Sequence, residues 1–111
     1  MIKVSGVVIK GKQKGRKLGF PTANIKASNF PTSGVYQGFT EISGRKYKSA
    51  IFIPERANFI ESHIIGFSGD IYGQVIMVEI GKKIRDIRIF SNEKDLIEQI
   101  TKDIDIINNI E

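Results

Sequence analysis

No cysteine occurs anywhere in the 111 residues, so disulfides, zinc–thiolate sites and thiol catalysis are excluded. Nothing then favours an oxidising compartment, and the expected location is the cytoplasm. One histidine, His63, cannot build a metal site alone; it reads as a partly buried, hydrogen-bonded imidazole and is given no catalytic role. No stretch approaches the roughly 20 apolar residues of a spanning helix, and the N-terminal MIKVSGVVIKGKQ has too short an apolar run for a signal peptide. Repeats, low-complexity segments and linkers are missing as well. Acids are in the minority, 12 against 17 Lys and Arg, and the net charge of +5 favours an anionic partner without naming it.

What is present fits one ordinary globular domain over residues 1–111. Of these, 41% are hydrophobic and 26% charged, enough for a single core. The segment 4–10 is rich in β-branched residues. GVYQGFTEI (34–42) and KYKSAIFI (46–53) read as a hairpin turning at Ser43-Gly44, and FIESHIIG (59–66) as a further strand. QVIMVEI (74–80) is expected to pair with 83–90 across a turn at Gly81-Lys82. Six antiparallel strands at hairpin spacing close most economically as a small barrel, which removes exposed edges. In the tail, Ser91 is the expected N-cap, Glu93 and Asp95 suit the first turn, and Leu96, Ile100, Ile104 and Ile107 repeat at helical spacing. That stripe packs on the barrel or covers one of its ends.

The stretch KGRKLGFPTAN (14–24) carries the chemistry. Neither G-x-G-x-x-G nor a Walker loop occurs. Gly11, Gly15 and Gly19 nonetheless recur every four residues, which lets backbone N–H groups approach an anion, with Arg16 and Lys17 between the last two. Pro21 then stiffens the chain, and Thr22 and Asn24, two residues apart, present hard oxygen donors suited to Mg²⁺ shared with nucleotide phosphates. An exposed basic turn leading into a strand is the alternative. Basic residues also gather at Arg45, Lys46 and Lys48 and at Lys82, Lys83, Arg85 and Arg88. In FIESHIIG, alternation puts Glu61, His63 and Ile65 on one face, and Glu61 on a face that could look into a barrel mouth as a general base; a solvated edge carboxylate is the competing reading.

Taken together, GRKLGFPTANI (15–25), PTSGVYQGF (31–39), IESHIIGF (60–67), GDIYGQ (69–74) and IRDIRIFSNEKDLIEQITKD (84–103) resemble the riboflavin kinase family, in the family's order and over most of the chain. The resemblance implies a mainly β fold, a six-stranded antiparallel Greek-key barrel with a C-terminal α-helix. It implies transfer of the ATP γ-phosphoryl to the riboflavin 5′-hydroxyl, giving FMN and ADP, with Mg²⁺ or another divalent cation. It assigns Thr22 and Asn24 to metal and phosphate, the 15–19 segment to a flap over the nucleotide, Glu61 to the catalytic base and Arg85 to the flavin side. Nucleotide binding is thus expected from Gly11, Gly15, Arg16, Lys17, Gly19, Pro21, Thr22 and Asn24. Bacterial relatives usually fuse this module to an adenylylating domain that makes FAD; 111 residues leave no room for one, so the expected product is FMN. A monomer without nucleic-acid or membrane partners is expected. Two departures lie towards the flavin side: a shortened IFIPERANF connection, and Ile87 where the family has an acid. They motivate an alternative, a diverged flavin- or nucleotide-binding barrel without catalysis; a nucleic-acid-binding barrel is a third reading that the basic surplus alone suggests.

Overall fold

A computed structural model describes residues 1–10, 19–27 and 31–110. Six strands, β1 (Ile2–Ile9), β2 (Ala23–Lys26), β3 (Gly34–Ile42), β4 (Arg45–Ile53), β5 (Phe59–Ile64) and β6 (Val75–Arg85), precede one helix, α1 (Glu93–Asn108). All pairings are antiparallel, and the barrel closes in the order β1-β2-β5-β4-β3-β6. β3, β4 and β5 follow one another as hairpins and β6 returns beside β3, which is the Greek-key connection that the family resemblance implies. Among the described residues no helix is long and apolar enough to cross a membrane.

Alternation decides what fills the interior. Val4, Val8, Ile25, Ile51, Ile53, Ile60, Ile64, Ile76, Val78 and Ile80 point inward and form one buried cluster. Three hydroxyls sit among them. Thr40 bonds Ser62 at 2.7 Å and accepts from Ser49 at 2.8 Å, so each buried polar group finds its partner inside the barrel. The β3–β4 hairpin turns at Ser43-Gly44 as expected, with φ of 50° and 82°, the left-handed pair of a two-residue type I′ turn.

Three expectations are corrected. First, Gly81-Lys82 makes no turn: β6 runs unbroken from Val75 to Arg85, pairing with β1 in its first half and with β3 from Met77 to Arg85, and residues 86–90 are not a strand. Gly81 instead lets the strand pass close to β3, where an added Cβ would lie 3.0 Å from the Gln37 carbonyl oxygen, beside the register shifts between Val35 and Gly38. The sixth strand is β2. Second, the helix is capped by Asn92, not Ser91: Asn92 is extended (φ −151°, ψ 163°) and its side chain accepts from the Asp95 N–H at 2.9 Å. Third, Glu61 lies on the barrel's outer face, because Ile60, Ser62 and Ile64 take the inward positions of β5.

α1 packs on the outer wall against β4, not over a barrel end. Ile100 and Ile107 are buried there, with Leu96 and Ile104 half-buried. Between the two buried isoleucines stands Asp103, wholly buried and gripped by Arg85, whose Nε and Nη2 donate to its carboxylate at 2.8–3.1 Å. Gln99 donates to the same group at 3.0 Å. At the far end the Lys48 ammonium donates to the carbonyls of Asn108 and Ile110.

Candidate active site

Two short outer-face segments meet where β2 pairs with β5. Their ladder runs from Ala23↔Ser62 through Asn24↔Glu61 to Lys26↔Phe59. Opposed residues share a face, so Asn24 and Glu61 are cross-strand neighbours on the outside, while Ala23 and Ile25 turn into the core. One residue before the strand, the Thr22 hydroxyl donates to Glu61 Oε1 at 3.4 Å. Thr22 and Asn24 thus form one cluster with Glu61, which lies 39 and 37 residues further along the sequence.

Burial raises the Glu61 carboxyl above its ordinary value, and the Thr22 hydroxyl pulls it partly back by stabilising the ionised form. Asn24 is buried and Thr22 half-buried. A hydroxyl, a carboxamide and a carboxylate are an all-oxygen set, the chemistry that Mg²⁺ prefers when substrate phosphates complete its shell. Among the described residues no three His, Cys, Asp or Glu side chains gather as a self-sufficient metal site. A cation here would depend on oxygens brought by the ligand.

Beside Thr22 opens a cavity of about 180 Å³, lined by Val8, Pro21, Ile64, Phe67, Ile71 and Tyr72 among others. Its far wall is the 66–73 loop. That loop is tied to β1 by two 2.9 Å backbone bonds, Val8 N–H to the Gln74 carbonyl and Gly73 N–H to the Val8 carbonyl, and is shaped by an Asp70 side chain accepting from the Tyr72 N–H at 3.0 Å. The cavity is mostly apolar and meets the oxygen cluster at Thr22.

Of the expected nucleotide residues, Gly11, Gly15, Arg16 and Lys17 lie outside the described residues. Gly19, exposed and left-handed at φ 92°, and Pro21 lead straight into the cluster. Arg85 is elsewhere: Nε and Nη2 are taken by Asp103, and Nη1 donates to the Asp86 carbonyl at 3.0 Å. The register nevertheless links it to the cluster, since Arg85 opposes Val35, Val35 opposes Phe52, and Phe52 opposes Glu61. Phe52, half-buried and next to Glu61 on the outer face, was not among the expected site residues, although alternation along 46–53 carries that signal.

A family model described as flavokinase, riboflavin kinase, matches residues 1–111. A bifunctional riboflavin kinase/FMN adenylyltransferase of Bacillus subtilis (strain 168) is 37% identical over 90% of this chain and 35% of its own length. The RNA-binding riboflavin kinase RibR of the same organism is 37% identical over 91% of this chain and 47% of its own. The chain therefore spans between a third and a half of these two relatives. A crystal structure from Streptococcus pneumoniae, described as a macrolide-efflux protein, superposes with a TM-score of 0.91 at 30% identity, covering 98% of this chain and 39% of that one.

Proposed function

The chain belongs to the riboflavin kinase family, and on that premise we propose that it transfers the γ-phosphoryl group of ATP to the 5′-hydroxyl of riboflavin, giving FMN and ADP. The observation that carries this reading is the cluster itself: a half-buried carboxylate bonded to the Thr22 hydroxyl and opposite Asn24, at the mouth of an apolar cavity. The cavity takes the nucleoside, and the phosphates run outward over Thr22 and Asn24. Thr22 and Asn24 would hold a divalent cation, which would supply neutralisation of phosphate charge.

Glu61 then does what its surroundings prepare. As the riboflavin hydroxyl oxygen bonds to the γ-phosphorus and the bond to the ADP oxygen breaks, the hydroxyl proton passes to the Glu61 carboxylate. Burial favours this transfer by making the carboxylate a stronger base than one in water, while the Thr22 hydroxyl holds it ionised and oriented. The acceptor lies along the outer face past Phe52, towards the segment after β6. Arg85 serves there by fixing that segment to α1 through Asp103. The protein acts in the cytoplasm as a monomer, with ATP/ADP and riboflavin/FMN as its ligands.

The test is incubation of purified protein with riboflavin, ATP and Mg²⁺, following FMN by chromatography. Wild type is expected to make FMN. Glu61→Gln is expected to lower turnover at least about a hundredfold, the lower end of a general base's contribution, with ATP affinity little changed; Thr22→Ala should lose both turnover and nucleotide affinity. Flavin or ATP binding without any FMN would make the chain a binding barrel and sink the kinase reading.

A further inference from the structure

His63 is the one polar side chain of the Glu61 face that the proposed reaction leaves without a task. Its ring lies on the same side of β5 as Glu61, two residues on, which is where strand geometry puts it. It touches the 19–22 segment twice. Nδ1 lies 2.9 Å from the Pro21 carbonyl oxygen, and the ring meets Phe20 edge-on, centroids 5.8 Å apart at 80°. A carbonyl can only accept, so Nδ1 carries the proton and donates.

The backbone explains why a side chain is needed at this point. The β2–β5 ladder ends at Ala23↔Ser62; one further step would set Thr22 opposite His63. Pro21 has no N–H to give to such an extension. Its carbonyl takes the imidazole proton instead of a ladder partner. Upstream, no described residue lies within 4 Å of where a Cβ on Gly19 would be. Two polar contacts hold this leading segment, Pro21 to His63 and Thr22 to Glu61, made to two residues of one strand face.

We propose that His63 is a positioning residue: by holding Phe20 and Pro21 on β5 it sets the Thr22 hydroxyl against Glu61. It touches neither substrate nor the reacting oxygen. The proposal rests on the kinase reading only for its consequence in rate; the anchoring itself stands apart from it. Loss of the anchor lets the hydroxyl drift, and displacements of about 1 Å at such positions are costly to the chemical step.

The experiment compares wild type, His63→Leu, which keeps bulk and loses the donor, and His63→Asn, whose amide nitrogen falls near the place of Nδ1. Turnover, the KM for ATP and for riboflavin, and amide hydrogen exchange at 23–25 are measured on each. His63→Leu is expected to lower kcat about tenfold with the riboflavin KM unchanged, and to speed exchange at 23–25 about tenfold; His63→Asn should recover most of both. Wild-type turnover and exchange in His63→Leu would overturn the proposal, as would equal damage in both variants, which would mean that ring packing and not the hydrogen bond matters. If wild type makes no FMN, the kinase reading fails, while exchange in the Leu and Asn variants still decides whether His63 holds the segment.

Discussion

Glu79 and Asp103 are the two acids that the fold buries, and each is answered by a basic partner. The Lys46 ammonium, 2.9 Å from Glu79 Oε1 and itself half in solvent, holds the Glu79 carboxyl below the ordinary range, with Lys3 adding at 4.0 Å. A carboxyl whose folded pKa is depressed contributes stability above its unfolded pKa, about 4.3 for Glu, and loses that contribution as pH falls through the folded value. The urea midpoint is accordingly expected to drop on acidification below about pH 4.3, and Glu79→Gln to flatten that acid limb. Asp103 is the stronger case. Its removal leaves the Arg85 guanidinium facing an apolar wall, and Asp103→Ala should cost about 3–5 kcal/mol in urea unfolding, the usual penalty for breaking a buried pair. The shared face of Thr22 and Asn24 was legible in their spacing of two, whereas their meeting with Glu61 was not, because no local pattern shows that β2 pairs with β5. Asp103 was not, since a carboxylate one turn from Ile100 and Ile107 reads as surface until Arg85, eighteen residues back, is known to reach it.

Among the elements, β3, β4 and β5 were readable from β-branched runs punctuated by Ser43-Gly44 and by the Pro54 connection. β6 was read only as far as Ile80, and β2 not at all: in each a local rule met a tertiary contact. Gly81-Lys82 carries turn composition, yet the glycine serves close approach to β3. β2 has four residues, too few for periodicity to register, and it is a strand because β1 and β5 hold it on either side. Gly38 shows the same principle at greater strength. A Cβ there would sit 2.1 Å from the Glu79 carbonyl oxygen and 2.3 Å from Ile51 Cδ1. Since the first of these is backbone, no side-chain rotation relieves the clash. Gly38→Ala is expected to destabilise by about 3 kcal/mol, the upper end of ordinary overpacking, and the unfolding midpoint in urea reads it directly.

On the scale of the whole molecule, four bases are engaged by the fold itself at scattered points: Lys46 and Lys3 with Glu79, Lys48 with the end of α1, and Arg85 with Asp103. The barrel's closure has the opposite character, concentrating two tasks in one small piece. β2 joins β1 through two register pairs and β5 through four, and without it the order β1-β2-β5 is an open seam. The same four residues carry Asn24 and begin one position after Thr22. Whatever clamps those oxygens therefore also clasps the seam, and a saturating nucleotide should act as a fastener for the entire wall. At a hundred times its dissociation constant such a ligand adds about 2.7 kcal/mol, on the order of 10 °C in melting temperature for a chain this long, and amide exchange should slow on both flanks of the seam together.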